Sequence, residues 1–537
     1  MQANGLNDGF GGYVRGYFSW LAQFVGISGT WSPSIKREMA VWPELRSALV
    51  NSLRLLTVAT LMGAGGGYLA EVLARRYAGK PVQRFIDRGG LVVASIPVFV
   101  TAIAVQLALA VKWGRLPISG LYPVGQSGFD LKQMIRHILL PALVLAIHNV
   151  FWYAHRLRTR PTTSIRDFLA GLLESRLWIL GSLVVTETVF AYPGVGRFFM
   201  VAVQNGDFPQ LMPTAALFVV GMFVLHLLLW SPARTYAEAT AVSPDDVANS
   251  RSNLVLTRMS IGVLAALAVV SALAPWLARY GVDEPVRNLQ IGPNQNLSPG
   301  AIAWFGTNSA GYDVYSRLFF ALRSTLFCAL VACAFAWAVA VAAGVVHQAR
   351  GQRVSARRAG ISGIFFVFPL VVVLVMVRTV LGGLGSLNAF FGGPGSLRLT
   401  IVVVALVGAA HASGQIHGLT LVHTRFRAPA RSDWARVGPP LASTCALAIL
   451  CESTLSFLGF GPELGSASAT LGGLLGESRS AALERHWWVF AFPAALLVLV
   501  VLCLNVIRTS LGPRALASAP VAEQTSAPEE PSIEVTA

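Results

Sequence analysis

Charge is what this sequence lacks. Asp, Glu, Lys and Arg make up 12% of its 537 residues, against about 25% in soluble globular domains. That leaves too little polar surface to coat a soluble globule of this length, and 54% of the residues are hydrophobic. Their arrangement also argues against a soluble protein with several buried helices. Leu211–Trp230, Ile361–Val377 and Phe490–Val506 are each nearly free of charge, and such blocks recur along almost the whole chain.

Other absences narrow the function. Cysteine is rare: Cys328, Cys333, Cys445, Cys451 and Cys503 lie in or beside apolar segments with no metal-ligand spacing. They read as small packing residues, and no metal is expected. The first forty residues lack a basic start followed by an apolar run, so no cleavable signal peptide is expected. No Gly-x-x-x-x-Gly-Lys-Ser/Thr loop occurs, so the chain should not hydrolyse ATP. No nucleophile–base constellation is present either, and no catalytic residue or enzyme activity is expected. The net charge of +16 would point to nucleic acid in a soluble protein. Here the basic residues sit in short loops between apolar blocks, with no aromatic-and-basic motif, so no nucleic-acid partner is expected.

What is there is a series of apolar blocks long enough to span a bilayer core of roughly 30 Å as helices. Mean hydropathy is +0.61. Spans are expected near 50–73, 90–111, 137–155, 172–190, 211–230, 254–277, 324–346, 361–381, 400–422, 441–458 and 488–506, about 11 in all. The fold class is therefore all-α, a polytopic membrane protein. Basic loops (Arg75 to Arg88, Arg156 to Arg166, Arg350 to Arg358, Arg425 to Arg436) alternate with loops that carry little positive charge, although loop 112–136 is an exception. The asymmetry puts the basic set in the cytoplasm, the N-terminus outside and the C-terminus inside.

The chain also repeats itself. Thr186-Glu187-Thr188-Val189-Phe190 and the following Gly194-Val195-Gly196 match Cys451-Glu452-Ser453-Thr454-Leu455 and Gly459-Phe460-Gly461, 265 residues further on. Ile96-Pro97 matches Phe368-Pro369, 272 residues on. Two landmarks in one order at nearly one offset indicate a duplication, and parallel repeats flanking a pathway are a transporter architecture. Residues 1–230 form the first half, 231–253 a polar cytoplasmic linker, 254–516 the second half, and 517–537 a disordered tail.

These residues resemble the permease subunits of ABC importers of the dipeptide, oligopeptide and nickel type, with two subunits fused in one chain. Glu187 to Arg197 resembles the family's "ETVF-x-x-PG-x-G-R", and His137-Ile-Leu-Leu-Pro141-Ala-Leu its "H-x-x-LPAL". Phe305-Gly306-Thr307-Asn308 to Arg317 resembles "LGTD-x-x-GRDV-x-SR", with Asn308 and Tyr312 in place of Asp and Arg. Glu452 to Gly461 resembles "E-A-x-LSFLGLG". The resemblance implies a bacterial inner-membrane permease embedded in lipid. Cytoplasmic ABC ATPase subunits and a periplasmic solute-binding protein would be its partners, with ATP used by the partner and no cofactor held by this chain. It also implies that the first half lacks the family's first span. The family's ATPase-coupling loops fall on Arg166, Asp167, Phe168, Leu169, Ala170 and Gly171, and on Ser432, Asp433, Trp434 and Gly438. Both loops are shorter here than in the family. That leaves two rivals open: an ion-coupled secondary transporter, and a degenerate permease acting as scaffold or receptor.

The translocation or gating candidates are Glu187, Glu452, Pro97, Pro369, Gly194, Gly196, Gly459 and Gly461. An intramembrane acid suggests binding of a substrate amine, cation or proton. The alternative is a helix-end carboxylate that caps backbone groups. Pro97 and Pro369 should kink their spans, as hinges or as fixed bends. Gly63, Gly65, Gly66 and Gly67 would let helices approach closely.

Overall fold

The computed structural model describes residues 33–36, 38–122, 130–159, 180–230, 250–282, 284–286, 296–349, 372–377, 396–417, 431–462 and 469–517. Within these the chain is helical, and β pairing is limited to two isolated bridges, Pro285 with Tyr312 and Thr307 with Asp313. Six helices are long and apolar enough to cross a membrane, or seven if one bent pair counts as a span. The protein is an all-α polytopic membrane protein. Coupling residues Arg166 to Gly171, the kink residue Pro369 and most of spans 172–190 and 361–381 lie outside the described residues.

The first set of helices is α1 (Val41–Arg76), α2 (Pro81–Ala94), α3 (Val98–Val105), α4 (Leu131–Thr159), α5 (Leu180–Val189), α6 (Val195–Asn205) and α7 (Phe208–Trp230). The second comprises α8 (Ser250–Ala272), the short α9 (Ala274–Leu277), α10 (Val314–Ala349), α11 (Leu397–His417), α12 (Arg431–Leu455), α13 (Leu471–Leu483) and α14 (Trp488–Ala517). Each set contains a 36-residue helix, α1 or α10. Each of these packs along the next long helix, α4 or α11.

Small residues set the α1–α4 contact. A Cβ on Gly67 would lie 2.3 Å from the Tyr153 Cβ and 2.8 Å from the Val150 carbonyl, and one on Gly66 would lie 2.7 Å from a Val150 methyl. Gly63 faces Asn149 at 3.0 Å, whereas Gly65 faces open space. Three of the four glycines therefore hold the approach that the sequence led us to expect.

The expected span 90–111 is not one rod. Helices α2 and α3, the latter continued by π-helical Gln106–Lys112, meet at 108°. The break falls at Ser95-Ile96-Pro97. Pro97 has no amide hydrogen, and it pushes Ile96 out of the helical region. The expected span 254–277 likewise ends early: α8 stops at Ala272, and Pro275 sits in the first turn of α9. The span expected at 324–346 starts earlier, at Val314. Asp313 caps that helix, accepting from the Ser316 amide at 2.9 Å and its hydroxyl at 2.6 Å.

Candidate functional site

The two repeated glutamates occupy two versions of one arrangement. Glu187 lies near the end of α5 and is fully buried. Ser52 of α1 donates to its Oε1 at 2.5 Å, and the Gly196 and Arg197 amides, in the first turn of α6, reach its Oε2 at 2.6 and 3.2 Å. The Ser52 oxygen in turn accepts from the Val195 amide at 2.8 Å. Thus the first three amides of α6 end on the carboxylate, two directly and one through a hydroxyl. A helix N-terminus carries exposed donors and a partial positive charge, so an anion is stabilising there.

Glu452, also fully buried, sits near the end of α12. Ser456 donates to its Oε1 at 2.6 Å and Ser453 to its Oε2 at 3.2 Å. The hydroxyls of Thr325 and Thr470 complete the set. Thr325 accepts from the Leu471 amide at 3.0 Å and Thr470 from the Gly473 amide at 3.3 Å. Here the α13 N-terminus reaches the carboxylate through two hydroxyls. Ser52 and Thr325 each lie eleven residues into their 36-residue helices, and each links the first amide of the following short helix to the buried acid. Both glutamates thus receive donated hydrogen bonds that tie a long membrane helix to a short one.

The glycines have different roles in the two versions. A Cβ on Gly194 would sit 2.1 Å from the Glu187 Oε1, and one on Gly196 would sit 2.6 Å from the Val184 Cα. Gly459 adopts a left-handed φ of 88° with open space around it, and a Cβ on Gly461 would meet the Ser456 Oγ at 2.2 Å. The second position of α13 is filled by Gly472, where a Cβ would lie 2.3 Å from the Ser453 carbonyl. Gly472 is therefore the counterpart of Gly196 in space, although the sequence match selects Gly461. Ser52, Thr325, Thr470 and Gly472 were not singled out from sequence. The spacing of Ser52 and Thr325, 273 residues, repeats the proline offset and was the signal available.

The turn after Glu187 is held at every carbonyl. Tyr192 returns its amide to the Glu187 carbonyl at 2.9 Å, and Gly120 donates to the Phe190 carbonyl at 2.8 Å. Asn51 donates to the Pro193 carbonyl at 3.0 Å, and the Tyr192 hydroxyl donates to the Asn51 carbonyl at 3.1 Å. Burial, with Glu187 beside it, pushes the Tyr192 phenol above its ordinary range. Ala191 takes a positive φ of 48°, and its carbonyl accepts from the Arg197 guanidinium at 2.5 Å.

The two sets of helices meet near these turns. Phe99 of α3 stacks on Phe457, five residues after Glu452, with ring centroids 4.4 Å apart. Asn505 of α14 donates to Ser95, at the α2–α3 break, at 2.9 Å. Arg479 of α13 donates to the Val189 carbonyl at the end of α5. Pro97 therefore stands at the seam, between Ser95 and Phe99.

The family's Asp and Arg are replaced here by Asn308 and Tyr312, which share one small cluster. Asn308 donates to Glu477 of α13 at 2.6 Å, Arg317 pairs with the same oxygen at 3.0 Å, and Arg317 lies over the Tyr312 ring at 5.2 Å. Of the other candidates, Gly438 lies on α12 against Leu511. Ser432, Asp433 and Trp434 start α12, but their side chains are outside the described residues. His148 contacts Thr101 at 3.0 Å and His411 contacts Ser443 at 3.0 Å. Cys333 and Cys445 face each other at 3.1 Å, a pairing the sequence did not show.

No family model matches the chain. Among curated proteins it is similar to the dipeptide transport system permease protein DppC of Bacillus subtilis (strain 168), 26% identical over 271 residues, which span 48% of this chain and 80% of the relative. It is similar to the oligopeptide transport system permease protein AppB of the same organism, 26% identical over 261 residues (42% of this chain, 81% of the relative). It is also similar to the oligopeptide transport system permease protein OppC of Mycobacterium tuberculosis (strain CDC 1551 / Oshkosh), 28% identical over 296 residues (49% and 95%). In each case less than half of this chain accounts for most of the relative.

Proposed function

We propose that this chain, a relative of the permease subunits of peptide ABC importers, is a peptide permease carrying both membrane halves in one polypeptide. The observation behind the reading is the doubled carboxylate clamp. Two buried glutamates, each tying a 36-residue helix to a short helix, flank a seam at which the two sets of helices touch. That most of a single permease relative corresponds to less than half of this chain supports the same reading.

On this reading the solute path runs along the seam, and the glutamates fix the geometry of its walls. A separate ATPase supplies the energy by favouring one arrangement of the halves over the other. A solute-binding protein outside the membrane delivers peptide. The N-terminus faces that side and the basic loops face the cytoplasm, where Arg166–Gly171 and Ser432–Gly438 meet the ATPase. Nickel or a nickel chelate is the alternative solute.

The test is to purify the chain from its native membrane without crosslinker and to measure uptake of a radiolabelled tripeptide in cells with and without it. An ABC ATPase should co-purify, and uptake should stop when cellular ATP is depleted while the proton gradient is maintained. Uptake that follows the gradient and ignores ATP would favour an ion-coupled transporter. Absence of both ATPase and uptake would favour a scaffold.

A further inference from the structure

The seam gathers positive charge without matching acids. Arg197 comes from the first turn of α6, and Arg479 crosses over from α13 in the other set of helices. Their guanidiniums end on carbonyls two residues apart in one turn, Ala191 and Val189. Among the described residues neither has a carboxylate partner. Glu187 is close in sequence, but its oxygens are taken up by Ser52 and by the Gly196 and Arg197 amides, and it is fully buried. Exposed Arg54, on the far side of Tyr192, adds a third cation nearby.

A guanidinium has five N–H groups, and each of these two uses one terminal nitrogen on a carbonyl. Their remaining nitrogens are not among the enclosed polar atoms that lack partners, so they remain open to solvent. The carbonyls at the end of a helix offset part of the charge. Two cations converging on one turn still repel, and burial together with Arg197 holds the Arg479 guanidinium below its ordinary value. An anion with two oxygens would relieve this, since planar guanidinium forks match carboxylate geometry.

We infer that Arg197 and Arg479 together receive the terminal carboxylate of a peptide at the seam, one arginine from each half. The inference rests on the peptide-permease reading and adds the part of the solute that is recognised. A C-terminal carboxylate is ionised at neutral pH, with a pKa of about 3.5. It is common to peptides of every sequence, so a site for it would accept many peptides. Because the two arginines come from different halves, the ligand would bridge the seam, and its hold would depend on how the halves are placed.

The test uses the full-length chain in phosphatidylcholine nanodiscs, with trialanine and trialanine amide as probes, titrated by saturation-transfer NMR. Trialanine should bind at least about tenfold more tightly than the amide, the scale of one lost charge-assisted contact. Arg479→Gln and Arg197→Gln should each abolish that preference without changing the amide's affinity, and Arg479→Lys should keep part of it. Equal binding of acid and amide would overturn the inference while leaving the permease reading intact, and so would a preference that survives Arg479→Gln. If neither probe binds, the inference falls, and ATPase co-purification decides the permease reading separately. Loss of trialanine binding when about a fifth of the lipid is phosphatidylglycerol would assign the arginines to lipid headgroups and overturn it as well.

Discussion

Glu187 is held by one hydroxyl and two amides, all buried, and all would lose their acceptor in Glu187→Ala. Each buried donor left unsatisfied costs about 1–3 kcal/mol. The variant should therefore lose at least about 3 kcal/mol, read as a lower unfolding midpoint in detergent. Glu187→Gln keeps one acceptor oxygen and should lose less. The α1 glycines give a sharper contrast. Gly67→Ala places a methyl 2.3 Å from Tyr153 and should lower stability by about 2 kcal/mol or more through overpacking. Gly65→Ala meets nothing and should be neutral or stabilise by about 0.5–1 kcal/mol, since alanine suits a helix better. The same thermal midpoints check both. Residue identity alone made the glutamates conspicuous, because acids are rare in apolar runs. It could not reveal Ser52 or Thr325, ordinary hydroxyls whose partners lie 135 residues or more away.

At the scale of helices, the sequence was legible where lipid imposes the rule. A helix that must satisfy its own backbone groups has to be long and apolar, so the cores of α1, α4, α8, α10, α12 and α14 were readable. Their ends were less so. Arg317 looks like a loop residue in an apolar scan, yet it lies inside α10 because Glu477 compensates it from α13. The bend at Pro97 was expected, but its 108° angle follows from packing that no local pattern records. The Asn308 cluster carries a prediction at this scale. Restoring the family's residue with Asn308→Asp would replace a donor by a second carboxylate 2.6 Å from Glu477. Like charges at that distance disfavour ionisation of both. The variant should lose about 1–3 kcal/mol despite its closer match to the family, and Glu477→Gln should rescue much of the loss; a double-mutant cycle on the unfolding midpoint checks it.

Across the whole molecule, the contacts that matter most were the least visible in the sequence. Arg479 and Val189 are 290 residues apart, and Asn505 and Ser95 are 410 apart. Nothing in either segment names the other. The repeat gave the two-part organisation, because duplicated segments keep their landmarks in order, but it could not say which faces meet. The fold brings together the α2–α3 break, the turn after Glu452 and α13, so the account turns on the seam as the route and on movement of the halves across it. The most direct measurement joins the halves there. With Ser95→Cys and Asn505→Cys, a short thiol-to-thiol crosslinker should connect the two sides, and uptake of labelled tripeptide should stop on crosslinking. Each single cysteine treated alike should keep transporting. A fully crosslinked double variant that transports at the untreated rate would contradict the account.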